Sequence, residues 1–304
     1  MSWRDRPYAG DRGGGWHQGQ GMGFALPKPT RVVTYLLIIN IGIFVLVALS
    51  EALRGVVYYY GMMANRETVT SSGRVLTGGG VLTGQVWRLV TYQYLHDTRS
   101  AIHLLFNMLG LYFLGPPLER RWGARTFFGF YTFCGIAGAV FYSLLTLIGF
   151  LDDGVMVGAS GSVLGLLAGC AVLTPEMMII LIFFPVPIRF AAVLFVALYV
   201  LNLLTAFANQ DPSAGGDAAH LGGMAFGAAW CLWGWQWLQH RRERLKEGAW
   251  ERKLKAKQDL ENEVDRILAK VHDQGIQSLT RREKQTLAQA TETQRDDENR
   301  SRHL

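Results

Sequence analysis

What the first 239 residues lack is charge. Of the 54 Asp, Glu, Lys and Arg residues in the 304-residue chain, 29 fall in residues 240–304, leaving 25 scattered among long apolar runs before them. That sparsity argues against a water-soluble fold for the larger part. Cysteine is also scarce. Cys134, Cys170 and Cys231 stand singly inside apolar runs, an odd number without CxxC spacing, so neither a disulfide frame nor a zinc site is indicated. A focused basic patch is missing too: the net charge of +6 comes half from the first 239 residues (14 basic, 11 acidic) and half from the rest (16 basic, 13 acidic). Without such a patch, nucleic acid is not expected as a partner. Secreted disulfide domains, collagen-like chains and wholly disordered chains are excluded by the same composition.

What is present is a series of apolar runs whose lengths match the hydrocarbon core of a bilayer, about 20 residues each. The first, Val32 to about Leu53, is too long for a signal-peptide core. Others follow at about 101–118, 126–150, 158–175, 190–207 and 218–238, giving six predicted spans. The run Met177 to Phe184 stops at Pro185 and Pro187, about half the crossing length, and reads as a hairpin-like connection. The predicted fold class is therefore an all-α polytopic membrane protein. It has a Gly-rich arm at 1–30, expected to be disordered, a six-helix membrane domain at 31–239 and a charged helical tail at 240–304.

Lys and Arg near span ends set the expected orientation. Arg4, Arg6, Arg12, Lys28 and Arg31, then Arg120, Arg121 and Arg125, then Arg189, then Arg241, Arg242, Arg244 and Lys246 all fall on one side if there are six spans. The loops 151–157 and 208–217 on the other side have no Lys or Arg, although the long 54–100 loop has five. Both termini are predicted cytoplasmic, with Trp230, Trp233, Trp235 and Trp237 toward the inner interface or in packing roles. In the tail, Val264, Ile267, Leu268 and Val271 form an amphipathic stripe that Gly275 ends. Thr280 and Glu283 then form a capping-box pattern, opening a short helix to about Ala290. This tail reads as a helical hairpin or partner-binding segment; its partner is not named by the sequence.

Polar side chains inside a membrane are costly, so each needs an account. On the six-span count, His103 and Asn107, then Ser160, then His220 all sit near the outer ends of their spans, at one depth. Ser160 opens the fourth span. It could be a packing serine beside the small-residue ladder Gly161, Gly165, Gly169, or a nucleophile among the free N–H groups of a helix start. His220 opens the sixth. Gly223 and Gly227 below it would let another helix come close enough for its imidazole to reach a facing serine, although a histidine bonded to a carbonyl or water reads equally well. Asp217 suits a helix N-cap better than a third catalytic group. His103 and Asn107, four residues apart, share a helix face and could hold an oxyanion. No carboxylate or cysteine shares their depth within a helix, so no metal is expected.

Together these residues resemble the rhomboid family of intramembrane serine proteases. The likeness covers about residues 84–238. It runs through Trp87-Arg88, His103-x-x-x-Asn107, Gly115, Glu119-x-x-x-Gly123, Gly158-x-Ser160-Gly161 and His220-x-x-Gly223-x-x-x-Gly227, in that order. The resemblance implies Ser160 as nucleophile, His220 as general base, and an oxyanion hole of His103, Asn107 and the Ser160 backbone N–H. It also implies cleavage of transmembrane segments of other proteins within the bilayer, without metal, cofactor or ATP. Several bacterial members have a tyrosine four residues after the nucleophile, stacked on the histidine; here the residue is Leu164. Residues 261–290 look like a helical extension carried by some bacterial rhomboids, so a bacterial cytoplasmic membrane is expected, with the site opening outward. Two other classes fit less well: a catalytically silent binder of membrane helices, and a transporter, which needs polar residues through the whole depth.

Overall fold

The computed structural model describes residues 28–70, 72–181, 183–209 and 214–301. The predicted disordered arm up to residue 27, with Arg4, Arg6 and Arg12, and part of the 208–217 loop lie outside the described residues. The chain divides into two compact units, at Gly227/Ala228.

In the first unit, α1 (Arg31–Leu49) is followed at once by α2 (Glu51–Gly61). The first apolar run thus ends four residues earlier than its hydropathy suggests. Ser50 is extended, and its hydroxyl accepts from Leu53 N–H, while Glu51 sits in the first turn of the new helix. A side-chain cap and a carboxylate at a helix start both favour a fresh N-terminus there. The long loop after it is not structureless. It contains a two-stranded antiparallel piece, β1 (Thr68–Val69) with β2 (Val75–Thr77), and a single helical turn, α3 (Arg88–Thr91).

Helices α4 (Ala101–Trp122) and α5 (Ala124–Leu147) meet at Gly123, whose φ of 79° ends one helix before the next begins. α6 (Ser160–Leu173) leads to a β-hairpin, β3 (Met178–Leu181) with β4 (Phe184–Pro187), then α7 (Ile188–Asn209) and α8 (Gly215–Ala229). α1, α4, α5 and residues Ile188–Ala208 of α7 are long and apolar enough to cross a membrane. α6, at 14 residues, is about 21 Å long against a hydrocarbon core of about 30 Å. It needs no greater length, because it is enclosed: every residue from Gly161 to Cys170 is buried, with α4, α5 and α7 packed around it. Pro175 follows, which disfavours helix at the residue before it.

Glu119, near the end of α4, caps a different helix. Its carboxylate accepts from Thr30 Oγ1 and from the backbone N–H groups of Val32 (3.0 Å) and Val33 (3.1 Å), the otherwise unpaired donors at the start of α1. Charge-assisted bonds of this kind are the stronger ones, and the site is buried. Glu119→Ala is therefore expected to cost about 1–3 kcal/mol of stability, with Glu119→Gln milder, read as a lowered midpoint of unfolding in a denaturing detergent titration.

The second unit contains the five-residue π-helical turn Trp230–Gly234, α9 (Trp235–Gln274) and α10 (Arg281–Ser301). Gly275, at φ 79°, ends α9. α10 packs on α9, with Ile267 of the predicted stripe fully buried and Leu268 half exposed. The capping box is formed: Thr280 N–H donates to Glu283 at 2.8 Å, and Glu283 N–H donates to Thr280 Oγ1 at 3.3 Å. Lys270 Nζ also donates to Glu283 at 2.9 Å. The Thr280 backbone N–H, with Lys270 second to it, holds the Glu283 carboxyl down to about 2. A depressed carboxylate stabilises above its unfolded pKa, so this contact weakens only as pH falls from about 4.5 toward 2. α10 runs past the predicted end at Ala290, because Glu, Gln and Arg continue the helix without a breaker.

Candidate active site

Ser160 is the first residue of α6. The approach to it is set by Gly158, whose φ of 135° is closed to other residues and whose N–H donates to Tyr92 O at 3.0 Å. Space adds a second constraint. A Cβ on Gly158 would lie 2.9 Å from Cε1 of His103 and 3.6 Å from Ser160 Oγ, so the ring, the hydroxyl and the glycine backbone converge on one point.

His220, in the second turn of α8, faces Ser160, with Nε2 2.6 Å from Oγ. The approach of the two helices explains this contact. A Cβ on Gly223 would fall 2.1 Å from Gly161 O, and one on Gly227 would fall 2.3 Å from Gly165 O. No side chain fits in either place, so the α6 and α8 backbones touch one and two turns along α8 from His220, the first contact beside Ser160. In a neutral imidazole with its proton on Nδ1, the serine hydroxyl donates to Nε2.

Asp217 is the third residue of α8, not its N-cap, because the helix begins at Gly215. Its Oδ1 lies 3.8 Å from His220 Nδ1, longer than a hydrogen bond. What packs on the imidazole instead is Tyr199 of α7, with ring centroids 4.6 Å apart and an interplanar angle of 55°. The sequence reading missed this residue, since a tyrosine in an apolar run gives no signal of its own. Leu164, one turn into α6, is buried.

His103 and Asn107 lie on α4. Asn107 is buried, and its Nδ2 donates to His103 O at 2.9 Å, which leaves the second amide N–H available. Behind His103 stands a second missed residue, the buried His96, edge-on at 5.3 Å between centroids. At the loop surface Arg99 hydrogen-bonds Asp97 and holds its carboxyl below the usual range.

The remaining motif residues serve the frame. Arg88 is buried, and its guanidinium donates to Met62 O (2.6 Å), Tyr59 O (2.7 Å) and Gln85 Oε1 (2.7 Å). Trp87 Nε1 donates to Tyr60 O at 3.1 Å. Both side chains thus bind the last carbonyls of α2, the end where a cation is favoured. Gln93 links two helices within the bundle, its Nε2 donating to Thr132 O (3.3 Å) on α5 and its Oε1 accepting from Ser162 Oγ (3.0 Å) on α6.

Chemically, the arrangement offers a hydroxyl paired with an imidazole, amide and ring donors near it, and the free N–H groups of a helix start. Comparison with known proteins identifies the family. The Rhomboid domain family matches residues 83–237, and a family of unknown function (DUF6576) matches residues 252–292. The chain is 40% identical to RHOMBOID-like protein 4 of Arabidopsis thaliana over 83 residues, 27% of this chain and 19% of that one. It is 32% identical to Rhomboid protein 1, mitochondrial, of Saccharomyces cerevisiae over 210 residues, 68% of this chain and 53% of that one. It is 36% identical to Rhomboid-like protease 1 of Toxoplasma gondii over 84 residues, 28% of this chain and 27% of that one. The chain thus spans about a fifth to a half of the length of these curated relatives. With a Rhomboid domain over half its length and four helices apolar and long enough to cross a bilayer, the chain is an integral membrane protein that belongs to the rhomboid family.

Proposed function

We propose that the protein is an intramembrane serine endopeptidase that hydrolyses peptide bonds in or near transmembrane segments of other membrane proteins. The observation that carries the reading is the 2.6 Å contact between Ser160 Oγ and His220 Nε2, at the end of a stretch where α6 and α8 meet backbone to backbone. In this mechanism Ser160 Oγ attacks the scissile carbonyl as His220 Nε2 takes the hydroxyl proton. The same imidazolium then protonates the leaving amine, and water, activated by the imidazole, releases the acyl group. His103, the second N–H of Asn107 and the Ser160 backbone N–H receive the oxyanion. The reaction needs no metal or cofactor.

The site's depth follows from helix length. If the far end of α6 reaches the opposite edge of the hydrocarbon, its length of about 21 Å leaves Ser160 roughly 9 Å below the nearer edge. A substrate helix would have to unwind to offer a carbonyl there, which favours Gly, Pro or other weak helix formers near that surface. We assign six spans, the four long helices with α6 and the α8 region, with both termini in the cytoplasm of a bacterial cell and the site opening to the outer face. Arg120, Arg121, Arg125 and Arg189 then share the inner side.

The test is Asn107→Ala. Removing one oxyanion donor is expected to lower kcat by about 10² to 10³ with little change in KM, because the donor acts chiefly on the transition state. Unchanged kcat on a cleaved single-span substrate would remove Asn107 from the mechanism.

A further inference from the structure

Between α6 and α7, at the end of α6 away from Ser160, the chain forms the β3–β4 hairpin. Residues 177–188 contain no charged, hydroxyl or amide side chain. Yet the hairpin is not packed into the bundle: Ile180 is 77% exposed, Phe183 85% and Phe184 71%. Aromatic and branched apolar side chains held this openly at a turn are unfavourable in water, by the area rule that governs all burial. Charge returns only at the base, where Arg189 and Glu176 form an ion pair.

The backbone carries the same pattern. Ile188 N–H donates to Met177 O at 2.8 Å, and the Cα partners inward from there are Met178/Pro187, Ile179/Val186, Ile180/Pro185 and Leu181/Phe184. Hydrogen-bonded and non-hydrogen-bonded pairs alternate in an antiparallel ladder, so Pro185 and Pro187 occupy the two positions whose N–H would point outward. The outer edge of β4 therefore presents no donor. An edge without donors does not accept another strand, so pairing with a second chain along β4 is disfavoured. The missing donors lower the cost of placing this edge close to hydrocarbon, where unpaired N–H and C=O groups are both penalised, although the Pro185 and Pro187 carbonyls still face outward. Met178 and Ile180 keep outward N–H groups on β3, so the strands need the polar headgroup zone and the apolar turn residues reach deeper. The apolar surface is also continuous. It passes from the hairpin into Phe190 and Val193 of α7, a helix whose spanning window is only 22% buried by protein.

We propose that the β3–β4 hairpin is a re-entrant lipid anchor. It inserts into the membrane leaflet opposite the Ser160 end, with Phe183 and Phe184 among the acyl chains and the Arg189–Glu176 pair at the headgroups. Four strand residues rise about 13 Å, enough to take the tip from the headgroups into the acyl region without crossing. The anchor would fix the start of α7 in depth, and it is independent of whether the protein is a protease.

The test uses Phe183→Cys in the full chain, carrying an environment-sensitive fluorophore, in phosphatidylcholine vesicles with plain or acyl-brominated lipid. Position 183 packs against little, so the fold should tolerate the change, and unsubstituted protein supplies the blank for the buried Cys134, Cys170 and Cys231. Emission should fall by about half or more in brominated vesicles and respond little to aqueous iodide, with Gln285→Cys in α10 showing the reverse. Quenching by iodide without a bromolipid effect would overturn the anchor and place the hairpin in water. Protection from both quenchers would also overturn it, in favour of a protein contact, a second copy if dilution with excess lipid restores quenching.

Discussion

Ser160→Ala is expected to abolish cleavage of a single-span substrate while leaving the protein folded. The hydroxyl is small and sits at a helix start, so its removal leaves only a slight void, and Nε2 joins the buried Nδ1 of His220 in having no hydrogen-bond partner. The chemical loss is far larger. Without Oγ no acyl intermediate forms, and by analogy with dyad and triad hydrolases the rate should drop on the order of 10⁴ to 10⁶. His220→Ala should fall by a similar factor, and the double substitution should cost little more than either alone, because the two groups act as one unit. Additive losses would indicate that they act separately. Thermal unfolding of each variant, followed in the same detergent, should stay close to that of the unsubstituted protein.

Gly223→Ala is expected to remove activity through the fold. The added Cβ would lie 2.1 Å from Gly161 O and 2.8 Å from Gly161 C, both backbone atoms, so no side-chain rotation can relieve the clash. The helices must separate by about 1 Å to reach ordinary contact. That separation occurs beside Ser160 and one turn from His220, and a displacement of about 1 Å at reacting groups can cost on the order of 10²-fold in rate. Overpacking of a tight contact typically adds a stability cost of about 1–3 kcal/mol. Gly227→Ala, against Gly165 O at 2.3 Å, should behave alike. Gly129→Ala on α5 is the control, since a Cβ there meets nothing within 4 Å, and it should be neutral in both assays. Activity and unfolding midpoint measured together on all three variants check the argument; a fully active, stable Gly223→Ala would refute close helix approach as the basis of the site.

The membrane character and the polar residues worth attention were legible in the sequence for one reason: charged and polar groups are so costly in apolar runs that those remaining stand out. Ser160, His220, His103 and Asn107 were visible that way, and the glycines at 223 and 227 marked a close approach by their spacing. What escaped was whatever depends on partners distant in the chain. Glu119 capping α1 links residues 86 to 89 positions apart, and nothing local to either segment announces it. Tyr199 lies in a run where lipid-facing and site-facing residues look alike, and only the position of α7 beside α8's histidine distinguishes it. Asp217 was misplaced because Gly215 and Gly216 look like a loop, yet the helix includes them and turns the carboxylate into a first-turn residue. The run Met177 to Phe184 reads as too short to cross and as a hairpin-like connection; what its composition does not reveal is the register, which pairs Met178 with Pro187 and Ile180 with Pro185.

Tyr199 also bears on Leu164. An aromatic ring against the imidazole restricts its rotation whichever helix supplies it, and here α7 supplies it rather than α6. The ring packs on the imidazole whose Nε2 faces Oγ, whereas Asp217, at 3.8 Å from Nδ1, lies outside hydrogen-bonding range.

The most direct test of the central claim is reaction of the purified full chain with a fluorophosphonate, followed by mass analysis of the adduct. A phosphorus electrophile of this kind is captured by a serine whose hydroxyl is activated by a base and whose oxyanion is stabilised, and hardly at all by an ordinary serine. The account predicts a single adduct on Ser160, absent in Ser160→Ala and strongly reduced in His220→Ala. Folded protein that takes up no label, or is labelled elsewhere to the same extent in all three forms, would contradict it.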